Sequence, residues 1–194
     1  LIARTVNRTA ADGAEAARQI FPRHEFCFTG GPAVQNTGFA IRRGLPFRCE
    51  NEYLPISIGD TERRGVVVTL FPGTRDEMTL MGVHLRSGCP DGLLSNDSNI
   101  KCARLAAQLP SLKAWIDEQT RAQRRFAVLG DFNRRFTREA GAAQDAAGRP
   151  LNVWAYINDH PGNDHPGNDH PGTAAGLVNI TARAPFIKCI PGDE

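Results

Sequence analysis

A chain of 194 residues, 41% of them hydrophobic, can bury one core, and that composition suits a globular domain rather than a disordered or membrane-spanning protein. No run approaches the roughly 18 to 20 uninterrupted apolar residues of a helical membrane span, and no basic segment leading into an apolar stretch marks a signal peptide. A net charge of +2 does not by itself imply a nucleic-acid binder, because phosphate affinity comes from clustered Lys and Arg.

The pattern reads as a single domain over residues 1–194. It opens on Leu1 and ends on Ile190-Pro191-Gly192-Asp193-Glu194 with no closing strand or helix, so sequence is expected to be missing on both sides. Ala14, Ala17 and Ile20 or Phe21 recur at helical spacing, which predicts a helix from about Ala10 to Ile20 that stops before Pro22. Strands are predicted over Glu25–Thr29, Thr37–Arg42, Glu52–Ile58, Gly65–Phe71 and Met78–His84, separated by Gly, Pro, Asp and Asn. The last two read as a hairpin turned by Pro72-Gly73. Asp97 or Ser98 is placed to cap a helix whose Leu105, Leu109, Leu112 and Ile116 form one apolar stripe, with Pro110 expected to kink or split it. Phe126-Ala127-Val128-Leu129 is wholly apolar and predicts a strand covered on both faces. Strands first, then helix, strand and helix, make an α+β domain rather than a Rossmann-like parallel sheet.

Cys27, Cys49, Cys89, Cys102 and Cys189 include no Cys-x-x-Cys pair, so disulfides fit better than zinc. A Cys89–Cys102 bridge would close a short loop and contribute on the order of 3 kcal/mol in an oxidising compartment, such as outside the cell or in the periplasm. Free thiols in a cytosolic protein are the alternative, and the pairing of Cys27, Cys49 and Cys189 stays open.

Two polar clusters follow apolar strands. Gly130-Asp131-Phe132-Asn133 puts a carboxylate and a carboxamide two residues apart, oxygen donors suited to a hard cation such as Mg²⁺ and to a phosphate or water beside it. Gly82-Val83-His84-Leu85-Arg86-Ser87 offers an imidazole that titrates near neutral pH, so His84 can protonate a leaving oxygen or bond a phosphate, with Ser87 in support. One such cluster reads as an ordinary turn or a structural histidine; two together point to phosphate chemistry.

The run from Val83 to Cys89, followed some forty residues later by Val128 to Arg134, resembles the paired central motifs of the endonuclease/exonuclease/phosphatase family, and Gly38 to Arg43 resembles the strand before them. The resemblance covers about Asn36 to Thr181. It implies a four-layer α/β/β/α sandwich of two packed mixed sheets, incomplete at both termini, and nuclease-like, divalent-metal-dependent phosphodiester hydrolysis by a secreted protein. By the same resemblance Asp131 orients or activates water near the metal, Asn133 binds metal or phosphate, and His84 stabilises or protonates the scissile phosphate. Arg64, or its neighbour Arg63, resembles an arginine that some nucleases set against the substrate backbone. Mg²⁺ is the implied cation, with Mn²⁺ and Ca²⁺ as alternatives, and nucleic acid is the favoured phosphodiester. The family's first-strand Asn, its metal-binding Glu and its closing Asp-His pair have no counterpart here, which implies that the chain as given is inactive or nearly so. An inactive fragment, or a phosphate- or partner-binding domain of the same fold, is the alternative.

Asn158-Asp159-His160-Pro161-Gly162 is repeated twice more, to Gly172. Its Asp-His imitates the family's closing pair, but no apolar strand leads into it. Residues 158–172 therefore read as an inserted, exposed loop rather than a catalytic or metal site.

Overall fold

The computed structural model describes residues 10–31, 35–60, 62–95, 99–139, 142–158 and 177–180, with the side chains of 10–14, 60 and 137 outside the description. It has mixed α and β content, built on two sheets. Helix α1 spans Ala10–Ile20 and ends before Pro22, as its spacing predicts; it packs on β1 and buries Ala17. Strand β1 (His24–Phe28) pairs antiparallel with β2 (Gly38–Arg42) in a two-stranded sheet.

The second sheet has four strands in the order β3 (Phe47–Cys49), β4 (Val66–Leu70), β5 (Met78–His84) and β6 (Phe126–Asp131). The hairpin of β4 and β5 is antiparallel as expected, whereas β5 and β6 are parallel. A parallel pair needs a crossover, and helix α2 (Ile100–Arg121) provides it.

The alternation along β4 explains how the layers hold together. Val66 and Val68 join Cys27, Phe39 and Ile41 of the two-stranded sheet in one apolar cluster, while Val67 faces the other way into a cluster with Met81, Val83 and the stripe of α2. Leu105, Leu109, Leu112 and Ile116 are all fully buried. Each such side chain contributes roughly 1.5–3 kcal/mol on leaving water. Two disulfides tie these parts together. The expected Cys89–Cys102 bridge joins the loop after β5 to the first turn of α2, and Cys27–Cys49 links β1 to β3, hence one sheet to the other.

Four expectations change. Residues 52–58 are not a strand: Tyr53 makes one bridge to Gly65, then two short 3₁₀ turns follow at Leu54–Ile56 and Ile58–Asp60. Pro55 lies in the first turn and lacks the donor a ladder requires. Pro110 does not split α2, which is continuous; the proline sits on the exposed face, where water can serve the carbonyl that loses its partner. The cap of α2 is Asn99, whose side chain accepts from the Lys101 amide, and Asp97 and Ser98 lie outside the described residues. Finally, β6 is only half-buried along Phe126–Leu129. It borders an apolar cavity of about 560 Å³ whose other walls include Ile116, Phe132, Phe136, Trp154 and Ile157.

Beyond β6 the chain makes a 3₁₀ turn at Phe136–Arg138 and the short helix α3 (Val153–Ile157). The Asn-Asp-His-Pro-Gly repeat lies outside the described residues apart from Asn158, whose side-chain oxygen accepts from the Leu177 amide. Among the described residues no helix is long and apolar enough to cross a membrane.

Candidate active site

The parallel pairing of β5 and β6 sets His84 directly beside Asp131, each at the carboxyl end of its strand. The Leu85 amide donates to the Asp131 carbonyl at 2.9 Å, which carries the pairing one residue past the end of β5. This approach requires Gly130. Its φ is +135°, and a Cβ there would lie 2.0 Å from the Val83 carbonyl oxygen, so no L side chain fits between the strands.

The side chains meet at this rim. His84 Nε2 is 3.8 Å from Asp131 Oδ2, within range for charge attraction once the imidazole is protonated but too far for a hydrogen bond. Asp131 Oδ1 accepts the Asn133 amide at 2.8 Å, closing an Asx turn that fixes the carboxylate. Asn133 has φ +52°, tolerable for Asn because its short polar chain bonds locally, and its Nδ2 donates to the Leu85 carbonyl at 2.8 Å. The His84 side chain is 6% exposed and that of Asp131 48%, so a nearly dry imidazole adjoins a half-solvated carboxylate.

The other expected residues lie further along the rim. Ser87 is exposed on the loop after β5. Arg64, just before β4, holds Glu52 Oε2 at 3.0 Å, and Glu52 also accepts the Gly30 amide at the end of the two-stranded sheet. Arg86 points to Glu62, which is 2% exposed and also draws Arg104 to 3.7 Å.

Several residues that hold the rim together escape sequence reasoning. Gln108 is fully buried; its Oε1 accepts the Arg86 amide at 2.8 Å and its Nε2 donates to the Ile56 carbonyl at 3.0 Å, so α2 anchors the loop after β5. Arg134 and Glu139 form an ion pair at 2.6 Å with side chains 1% and 6% exposed. A signal existed for Gln108, which lies three residues after Leu105 and four before Leu112, on the apolar stripe itself. Nothing in the sequence separates Arg134 from its exposed neighbour Arg135, which pairs with Asp91.

No family model, curated protein or solved structure matches the chain. Among the described residues, no group of three or more His, Cys, Asp or Glu side chains is placed to hold a metal ion.

Proposed function

We propose that the protein hydrolyses phosphodiesters with the help of a divalent cation, acting in the manner of a nuclease, at the rim where β5 and β6 end. The observation that carries this reading is the 3.8 Å approach of His84 to Asp131, brought about by two parallel strands whose polar motifs lie 47 residues apart. Carboxyl ends of parallel strands are where α/β sheets bind their ligands, since loops leaving them project polar groups into one crevice.

In this reading Asp131 and Asn133 are the metal-side residues. Mg²⁺ is held by one or two carboxylates together with waters and substrate phosphates, so one carboxylate beside a carboxamide suits a cation that the substrate helps to retain; Mn²⁺ and Ca²⁺ accept the same oxygen donors. When bound, the cation offsets charge on the phosphate. Asp131, kept in place by the Asn133 amide, orients the attacking water. His84, in its protonated form, donates to the phosphate or to the leaving oxygen. Ser87 and Arg64 serve the phosphate backbone from the flanking loops.

The finer architecture belongs to the same proposal. The packing of α1 on the two-stranded sheet, of that sheet against the four-stranded one, and of α2 on the far side supports reading the layers as a four-layer sandwich like that of the endonuclease/exonuclease/phosphatase family. The two disulfides support a secreted or periplasmic location. The shortage of acidic ligands among the described residues favours one second reading, a phosphate-binding domain of the same fold without catalysis. The test expresses the complete reading frame and follows bis-p-nitrophenyl phosphate and plasmid DNA with Mg²⁺ or with EDTA. Metal-dependent cleavage, lost in both His84→Ala and Asp131→Ala, is expected. Full turnover in either variant removes that residue from the mechanism, and binding without turnover supports the second reading.

A further inference from the structure

We infer that Arg134 is a positioning residue: it never touches the phosphate, but it fixes the loops leaving β5 and β6 relative to one another and thereby holds Asn133 and Asp131 in place. This rests on the reading of the site given above. An arginine next to Asn133, in a rim suited to phosphate, would ordinarily be taken for a phosphate-binding group. Its geometry argues otherwise. The side chain is 1% exposed, and all three guanidinium nitrogens are engaged. Nε donates to Glu139 Oε1 at 2.6 Å, one terminal nitrogen donates to the Cys89 carbonyl at 3.0 Å, and the other donates to the Gly92 carbonyl.

Two of those partners, Cys89 and Glu139, belong to separate restraints. Cys89 is bridged to Cys102 on α2, so the guanidinium grips a loop already fastened to the helix. Glu139 accepts the Val153 amide at 2.9 Å and the Trp154 amide at 2.8 Å, the first free donors of α3. The Arg135 amide donates to the Pro90 carbonyl at 3.0 Å and adds a second strut between the same loops. A continuous run of bonds therefore leads from α3 through Glu139 and Arg134 to the loop after β5, and it passes within one residue of Asn133. The guanidinium spreads its donors over three nitrogens that reach the acidic oxygen and both carbonyls at once, whereas a lysine carries its three donors on one atom, so lysine is a poor replacement.

The two roles differ in kinetics. A phosphate-binding arginine supports substrate affinity, and its loss raises KM; a positioning arginine acts on the reacting geometry, and its loss lowers kcat. The experiment compares wild type, Arg134→Lys and Arg134→Ala, the last with and without millimolar guanidinium, in metal-dependent hydrolysis of bis-p-nitrophenyl phosphate by the full protein. Ile41→Val, a core truncation in the other sheet, serves as the stability control. Expected are a fall in kcat of about tenfold to a hundredfold with KM within about twofold, partial recovery by guanidinium, and no such fall in the control. A raised KM with kcat unchanged overturns the inference in favour of phosphate contact. Unchanged kcat per folded molecule overturns it in favour of a purely structural pair. If the wild type shows no metal-dependent hydrolysis, the functional reading fails, and the positioning claim is judged by ¹⁵N spectra. There, shifts at the Asn133 side-chain amide and the His84 imidazole in Arg134→Lys, absent from Ile41→Val, support it, and unmoved resonances reject it.

Discussion

The two ends of β5 are built on different principles. At its amino end the turn from Phe71 to Glu77 is closed by its own residues: the Gly73 amide donates to Glu77 Oε2 at 2.6 Å, Thr74 Oγ1 to the Phe71 carbonyl at 2.9 Å, and the Asp76 amide to Thr74 Oγ1 at 3.2 Å. At its carboxyl end the bonds come from far along the chain. Leu85 binds Asp131 and Asn133, the Arg86 amide binds Gln108, and the loop beyond is clasped by Arg134 and by a disulfide. The turn closes chiefly on itself, with the Phe71 amide on the Pro46 carbonyl and Arg125 3.6 Å from Asp76 as its ties to the rest of the fold. A rim held by distant partners is a place where the fold has fixed side chains, and there a half-exposed carboxylate stands against a buried imidazole.

Substitutions at the two ends should separate accordingly. The largest loss is expected for Gly130→Ala, about 4 kcal/mol or more, since positive φ and a clash with the Val83 backbone add, and denaturant unfolding measures it. Removing the Cys89–Cys102 bridge by double substitution to serine should cost about 3 kcal/mol in the same assay. Asn133→Ala is next at about 2 kcal/mol, because it forfeits the bond to Leu85 and strains a left-handed position. Gly73→Ala at the opposite end, also at positive φ but with open space where its Cβ would lie, should cost only about 1 kcal/mol. A Gly73 variant as damaging as the Gly130 variant would erase the distinction.

The smallest effect is a pH dependence near the hairpin. Glu50 has its carboxyl pKa lowered by the hydrogen bond from Arg48, with Thr69 assisting against partial burial. A lowered folded-state value means that this stability is present above the ordinary glutamate range, roughly pH 4.3, and is lost as pH falls through the depressed value. The Tm difference between wild type and Glu50→Gln should therefore shrink as pH drops from 6 to 3. A difference that grows on acidification contradicts the sign.

What the sequence made legible follows the same division. The β4–β5 hairpin, α1, the stripe of α2 and the presence of β6 are local patterns of period 2 or 3.6, and each appears in the structure close to its expected bounds. The expected strand over residues 52–58 misled because Leu54, Ile56 and Ile58 alternate as a strand would; yet of these only Ile56 is buried, and Leu54 is 54% exposed. β3 is three residues long, too short for any period to register. At the site, the motifs around His84 and Asp131 were visible as residue types, whereas their proximity came only with the parallel register. The ion pair of Arg134 and Glu139 was invisible, because burial of a charge depends on partners 42 and 45 residues away in Gly92 and Cys89.

The central claim is that the carboxyl end of β5, with β6, gathers a cation and a phosphate, while the amino end does not. Titrating ¹⁵N-labelled protein with Mn²⁺ in the presence of inorganic phosphate tests it, since the paramagnetic ion broadens nearby amide signals. The amides of Leu85, Phe132 and Asn133 should vanish first, with those of Gly73 to Glu77 left sharp and the effect abolished in Asp131→Ala. Broadening that begins at the acidic hairpin turn, or that survives loss of the Asp131 carboxylate, would contradict it.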